Sequence, residues 1–426
     1  MVGTAGLKHG CMPSRRILMD NSQKILIIQL KRAGDIVLTT PVAALVKRRW
    51  PQAKVDFLVE KGFAPLLENN PSIDTVQVYD KDRSWQTLMR IRAQRYDQVF
   101  DFQSSPRSAL AVLASGAAYT AGYQVPFWGR FYRQTVRRPG GSLSVVQGKL
   151  SLLEPVMGPV ADAPLPQMFL SQEERLWAQT VIISPRPTCG ERASRTEGTG
   201  AGEGSLDRSD MRYPSPPPSP LMGRGEANAV IGLVPTHRRT ARRWYAESFG
   251  ALARLLDQAG YAVWLFWGPG EREYVENIRQ QAPHASMIPS TSLRQMAALL
   301  ARCELVVSND NGPMHIAAAV GVPTVTVYGP TDPHAWNPGG SRHIALQAAG
   351  LRCLGCNLNA CPFGHECMRQ VTPEQVLAAC QDLLARTSTQ KPLPPLRGEG
   401  GDGGCRRLTT VPPTSILPHK GGGGCS

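Results

Sequence analysis

Apolar residues along this chain fall in short continuous runs, and the runs alternate with segments of helical character. The first, Lys24–Leu30 (KILIIQL), reads as a buried parallel strand because it is continuous rather than alternating. A helix is expected over about Pro41–Trp50, a strand at Lys54–Val59, a helix over Ala64–Leu67 and a strand at Thr75–Tyr79. A helix from Trp85 to Arg92 and a strand at Gln98–Asp101 continue the series. The alternation restarts with a strand at Ala229–Val234, a helix at Ala246–Gln258 and a strand at Ala262–Phe266, and it ends near Leu384. Strands alternating with helices predict parallel sheets covered on both faces, hence two doubly wound α/β domains.

One stretch compresses the pattern: residues 308–333, SNDNGPMHIAAAVGVPTVTVYGPTDP. A strand over Cys303–Ser308 is followed by a polar turn, a helix through Ile316–Ala319, a stop at Gly321-Val-Pro323 and a strand at Thr324–Tyr328. This is one βαβ unit with its polar residues concentrated in the turn.

The periodic segments define the domains. Residues 1–22 are expected to be a loose leader, with Met19 an attractive alternative start to Met1. Residues 23–184 form the first domain and 229–386 the second. Between them, 185–228 has almost no apolar periodicity and cannot repay its ordering entropy, and the Gly/Pro-rich tail 387–426 is similar. Both carry a Pro-Leu…Arg-Gly-Glu wording (SPLMGRGE, PPLRGEG), which hints at one inserted element. Loop entropy grows only logarithmically with length, so deleting 186–227 is expected to leave folding intact.

Composition narrows the class. Hydrophobic residues are 42% and charged residues 19%, as in a globular body, and no run of eighteen apolar residues is present. The first twenty residues lack the apolar core of a secretory signal, so a cytosolic location is expected. A net charge of +14, from 47 basic and 33 acidic residues, favours an anionic partner: nucleic acid, phosphorylated substrate or acidic membrane. Ten cysteines in a cytosolic chain point to free thiols or a metal rather than a disulfide frame.

Four pieces could carry chemistry, and each follows a strand where doubly wound sheets bind ligands. In LKRAGDIVLTTP, Asp35 either caps the following helix or faces a ligand, with Gly34 permitting close approach and Lys31 and Arg32 adding a positive rim. No Gly-x-Gly-x-x-Gly is present there, so the dinucleotide fingerprint is missing. In the DNGPMH turn, Asp310 and Asn311 can bond hydroxyls, Gly312 leaves a helix N-terminus open to an anion, and His315 lies in the first turn. The alternative is a capped helix with a surface histidine. Arg238, Arg239, Arg242 and Arg243 form a guanidinium cluster after Val234, suited to phosphates. A nucleic-acid patch would want interleaved aromatics, which are lacking. Glu271, opening a helix after Phe266, either accepts ribose hydroxyls or favours the helix dipole.

In this order the pieces resemble glycosyltransferase family 9, the bacterial lipopolysaccharide heptosyltransferases; the resemblance covers about 23–185 and 229–385. It rests most on SNDNGPMHIAAAVGVPTVTVYGPTDP and then on GDIVLTTP. It implies a GT-B arrangement, two Rossmann-like domains facing a central cleft, and inverting transfer without metal or cofactor. The donor would be a nucleotide-diphosphate sugar, typically ADP-heptose, and the acceptor an inner-core sugar on lipid A at the cytosolic face of the inner membrane. Asp35 matches the general base. Thr236, Arg242, Glu271 and Thr291 match donor contacts, with Arg242 standing where lysine is usual, and Asp310, Asn311, Gly312 and His315 match the sugar-and-pyrophosphate turn. Arg107 matches an acceptor-side arginine. The same resemblance leaves room for a transferase of another nucleotide sugar, or for a relative that binds but does not turn over. Nucleic acid is not an expected partner. Cys353, Cys356, Cys361 and Cys367 have the compact spacing of a tetrahedral zinc site; free thiols, structural metal and disulfides all stay open, and a catalytic role is not expected.

Overall fold

Six strands pair in parallel in each half of the chain. The structure, a computed structural model, describes residues 22–138, 143–160, 162–181 and 229–388. The leader, the 186–227 deletion and the tail therefore lie outside the described residues, apart from a few positions at their edges. In the first half the strands are β1 (Lys24–Ile28), β2 (Lys54–Glu60), β3 (Thr75–Tyr79), β4 (Gln98–Asp101), β5 (Tyr119–Tyr123) and β6 (Gln134–Val136). In the second they are β7 (Val230–Val234), β8 (Ala262–Leu265), β9 (Ser286–Met287), β10 (Leu305–Asn309), β11 (Thr324–Tyr328) and β12 (His343–Gln347). The sheet orders are β3-β2-β1-β4-β5-β6 and β12-β11-β10-β7-β8-β9. Counted from its own first strand, each is 3-2-1-4-5-6. Each sheet thus has one switch point, between β1 and β4 and between β7 and β10, where loops diverge and leave a crevice.

The strand runs are apolar at successive positions because both faces are buried. Ile25 and Ile27 enter one core cluster, while Leu26 and Ile28 enter another with Ile91 and Val112. In the second half, Ile231 and Leu233 face an outer cluster with Phe249 and Leu383. The inner cluster is shared: Ile25, Phe57 and Ile36 belong to the same contiguous core as Phe266, Met296 and Ile316. Two cores fused through one apolar layer hold the halves together.

Polar anchors reinforce that layer. Arg294, 8% exposed, opens the helix Leu293–Leu300 and donates to Pro65 O at 2.7 Å and Phe169 O at 2.8 Å, while pairing with Glu174. Met168 N donates to Ala319 O at 3.0 Å. The helix Gln172–Thr180, read from sequence as part of the first domain, lies against the Leu293–Leu300 helix of the second.

Element boundaries differ from the sequence reading in instructive places. β1 ends at Ile28, and the following loop contains a short helix, Ala33–Val37, before the Thr40–Arg49 helix. The segment around Ala64–Leu67 is a 3-10 helix, Lys61–Leu67, with Pro65 inside it. β5, YTAGY, has little apolar signal; its Gly122 lies under the Tyr132 ring, where a Cβ would come within 2.6 Å.

Candidate functional site

At the second switch point, hydrogen bonds lock two loops together. Asn309, buried at the end of β10, accepts from Trp244 N at 2.8 Å and donates to Pro235 O at 2.8 Å. Asn311 caps the helix Gly312–Ala319 by accepting from Met314 N at 2.9 Å, and its amide donates to Thr236 O at 2.9 Å. Asp310 pairs with Arg242 at 3.1 Å. Burial raises the Asp310 carboxyl and lowers the Arg242 guanidinium, and each charge offsets the other's desolvation. Arg242 also donates to Asn357, while its Nε is buried without a protein partner. A cation held this way, beside a helix N-terminus, suits a diphosphate.

The helix is capped, but its histidine is not on the surface. His315 is 4% exposed and its Nδ1 has no protein partner. Burial lowers it to about 4, so the imidazole is neutral near pH 7.

The first switch point is open and cationic. Asp35 lies in the first turn of the helix Ala33–Val37, whose N-cap is Arg32, and the next helix starts after Thr39; Asp35 caps neither. It borders a cavity of about 350 Å³ whose lining includes Gln29, Arg32, Tyr123, Arg138, Lys149 and Trp336. Arg32 has φ 72 and ψ 114, a strained backbone for a residue with a Cβ. Lys149, 5% exposed, donates to Gln29 Oε1 at 2.9 Å. Burial brings its amine down to about 8; Asp35 pulls it up and Arg138 lowers it further. A buried amine in a cavity with a carboxylate is a group poised for an anion.

The two switch points touch. A Cβ on Gly34 would come within 2.9 Å of the His315 ring and 3.5 Å of Gly312 Cα. One on Gly312 would lie 3.4 Å from Gly34 N. Trp336, which lines the Asp35 cavity, stacks obliquely 6.3 Å from His315. Two loops nearly 280 positions apart in sequence, at residues 34 and 312, therefore form one bipartite site.

Residues 85–366 match the family model described as glycosyltransferase family 9 (heptosyltransferase), well over half of the chain. The chain belongs to this family. It is a glycosyltransferase, and its pair of 3-2-1-4-5-6 sheets is the GT-B fold of that family. It is 27% identical to lipopolysaccharide heptosyltransferase 3 of Escherichia coli over 75% of this chain and 87% of that protein. With lipopolysaccharide heptosyltransferase 2 of Salmonella typhimurium the identity is 25%, over 85% and 99%. Among solved structures, a family 9 glycosyl transferase from Veillonella parvula superposes with TM-score 0.68 at 21% identity, over 86% of this chain and all of that one. The E. coli ADP-heptose lps heptosyltransferase II superposes with TM-score 0.65 at 21%, over 86% and 99%.

In this glycosyltransferase the remaining sequence-selected residues are scattered. A second cavity of about 360 Å³ lies beyond β8 and β9, lined by Trp267, Arg272, Glu276, Ile288, Pro289 and Ser290 among others. Thr291 follows that lining directly. Glu271 instead folds back and accepts from Gly268 N at 2.9 Å, which closes its own turn. Arg107 pairs with Glu60 at 3.0 Å, beside Lys81, and does not line the Asp35 cavity. Cys353, Cys356, Cys361 and Cys367 border one small hollow as free thiols, with His365 among them. Burial, reinforced by the other three cysteines, raises Cys367 to about 11. Among the described residues, no three His, Cys, Asp or Glu side chains are placed to hold a metal ion. Asn357, inside this cysteine loop, accepts from Arg242, so the loop buttresses that guanidinium.

Lys149 escaped the sequence reading. Its signal is compositional: residues 102–153 contain no Asp or Glu and one lysine.

Proposed function

We propose that this glycosyltransferase transfers a heptose, with inversion, from ADP-heptose to an inner-core sugar of lipid A at the cytosolic face of the inner membrane. The observation that carries the reading is the contact of Gly34 with His315 and Gly312, which sets the Asp35 cavity against the Arg242–Asp310 turn. The names of its relatives supply the sugar and the acceptor class.

In this mechanism the diphosphate lies at the N-terminus of the Gly312–Ala319 helix, beside Arg242, and the nucleoside extends toward the cavity beyond β8 and β9. The acceptor hydroxyl enters the Asp35 cavity. Its oxygen bonds to the anomeric carbon on the face opposite the departing diphosphate, and its proton passes to the Asp35 carboxylate. The bond from that carbon to the phosphate oxygen breaks, and its electron pair leaves as charge on the nucleoside diphosphate. Arg242 and the helix N-terminus stabilise that charge as it develops. Neutral His315 packs the seam between the halves without competing for the proton.

The test is calorimetric binding of ADP-heptose, ADP and UDP, with Asp310→Ala and Asp35→Asn alongside. Tight ADP binding, weakened in Asp310→Ala and retained in Asp35→Asn, is the expected result. A preference for UDP would keep the fold and move the donor to another nucleotide sugar. Failure of all three to bind would sink the reading.

A further inference from the structure

Between Asp101 and Glu154 the chain carries six bases and no acid. Lys149 faces the Asp35 cavity and Arg107 is paired, but Arg130, Arg133 and Arg137 are exposed. Apolar side chains accompany them. Trp85 is 70% exposed, and Met89 stands four residues on along the same face of the helix Ser84–Ala93. That helix packs beside Pro106–Ser115, which exposes Leu110 and Leu113 and in turn touches the 3-10 turn Trp128–Phe131. Next to that turn, Phe127 is 77% exposed at φ 62, a conformation costly for a bulky side chain.

Single exposed apolar residues need no explanation, but five on one layer beside a basic strip do. We infer that the face formed by these two helices and the Phe127–Phe131 turn docks on an anionic lipid bilayer. Trp85 and Phe127 would sit among the headgroups, and Arg130 and Arg133 would bind lipid phosphates. Charge alone would suit nucleic acid equally. Met89, Leu110 and Leu113 decide for lipid, since aliphatic side chains gain by entering an acyl boundary and offer no stacking surface to bases. Phe127 lies four residues past Tyr123, which lines the Asp35 cavity, so the docked face adjoins the acceptor entrance. The purpose of such a surface rests on the lipid-borne acceptor proposed above.

The experiment is flotation of the full chain with vesicles of phosphatidylcholine alone and with about one-third phosphatidylglycerol, for wild type, Trp85→Ser/Phe127→Gly and Arg130→Glu/Arg133→Glu. Turnover is followed in parallel with vesicle-borne acceptor and with its delipidated core sugar. We expect binding only to the anionic vesicles, a loss of at least tenfold in both variants, and a matching fall in turnover on vesicles alone. Melting temperatures should stay level, because every altered side chain is exposed. Equal binding by wild type and both variants overturns the proposal, as does selective, salt-sensitive binding of duplex DNA with none to vesicles. Vesicle binding without any turnover would leave the docking surface standing and fail the transferase reading; turnover of the delipidated sugar without vesicle binding would do the reverse.

Discussion

The two switch points share one topology and solve opposite problems. Between β7 and β10 the loops are bound to each other by Asn309, Asn311 and the Arg242–Asp310 pair, and the groups are largely buried. Between β1 and β4 the corresponding loops surround a cavity, with a strained Arg32 and a buried amine whose partner is an uncharged glutamine. The first is a preorganised turn whose charges are paired internally. The second places Arg32, Arg138 and Lys149 on an open cavity. Internal bonding and open volume are thus divided between the two switch points.

The division can be broken most directly at Asp35. Asp35→Asn should lower kcat by about 10²–10⁴-fold, the usual worth of a general base, with little change in melting temperature. A residual rate above a tenth of wild type would remove Asp35 from the chemistry.

Asn309→Ala should do the contrary, because it strands Trp244 N and Pro235 O in a buried place. The expected cost is about 2–4 kcal/mol in urea unfolding, with poor donor binding as a consequence. A cost under about 0.5 kcal/mol would show that Asn309 does not hold the second switch point together.

Lys149→Met sharpens the contrast. Removing a desolvated amine should leave stability equal or higher, while acceptor KM rises about tenfold and the donor Kd holds. The folded value of about 8 lies below the ordinary lysine value, so the unfolded chain keeps its proton to higher pH. The burial cost is present below pH 8 and fades as pH rises toward 10.5; the variant should lose that rise. An unchanged acceptor KM would place Lys149 outside the site.

The smallest effect belongs to His315. Its folded value of about 4 lies below the ordinary 6.5, so the unfolded chain takes up the proton first. Stability is whole above pH 6.5 and drains as pH falls toward 4, by on the order of 1–3 kcal/mol. His315→Asn should flatten the melting-temperature curve in that window, and identical slopes would rule the imidazole out as the source.

The fold was legible in the chain because parallel strands buried on both faces must be continuous apolar runs, and the βαβ unit at 303–328 shows this in one piece. What the runs could not show is which face each side chain takes: Ile25 and Leu26 look alike, yet one joins the core shared by both halves and the other does not. The weakly apolar strands β5, β6, β9 and β12 were missed for a related reason, since edge position and close packing replace hydrophobicity there.

Residue types at strand ends singled out the loops that the fold brings to its two switch points: Asp35, Arg242 and the Asp310–His315 turn were all readable there. Only tertiary structure decided their company. It turned Asn311 inward as a cap, buried His315, paired Arg107 with Glu60 and brought Lys149 into the Asp35 cavity. Local sequence dictates strand, turn and helix through contacts a few residues apart, whereas the meeting of Gly34 with Gly312 depends on two sheets packing through a common apolar layer. That contact is a property of the assembled layers, so no local pattern contains it.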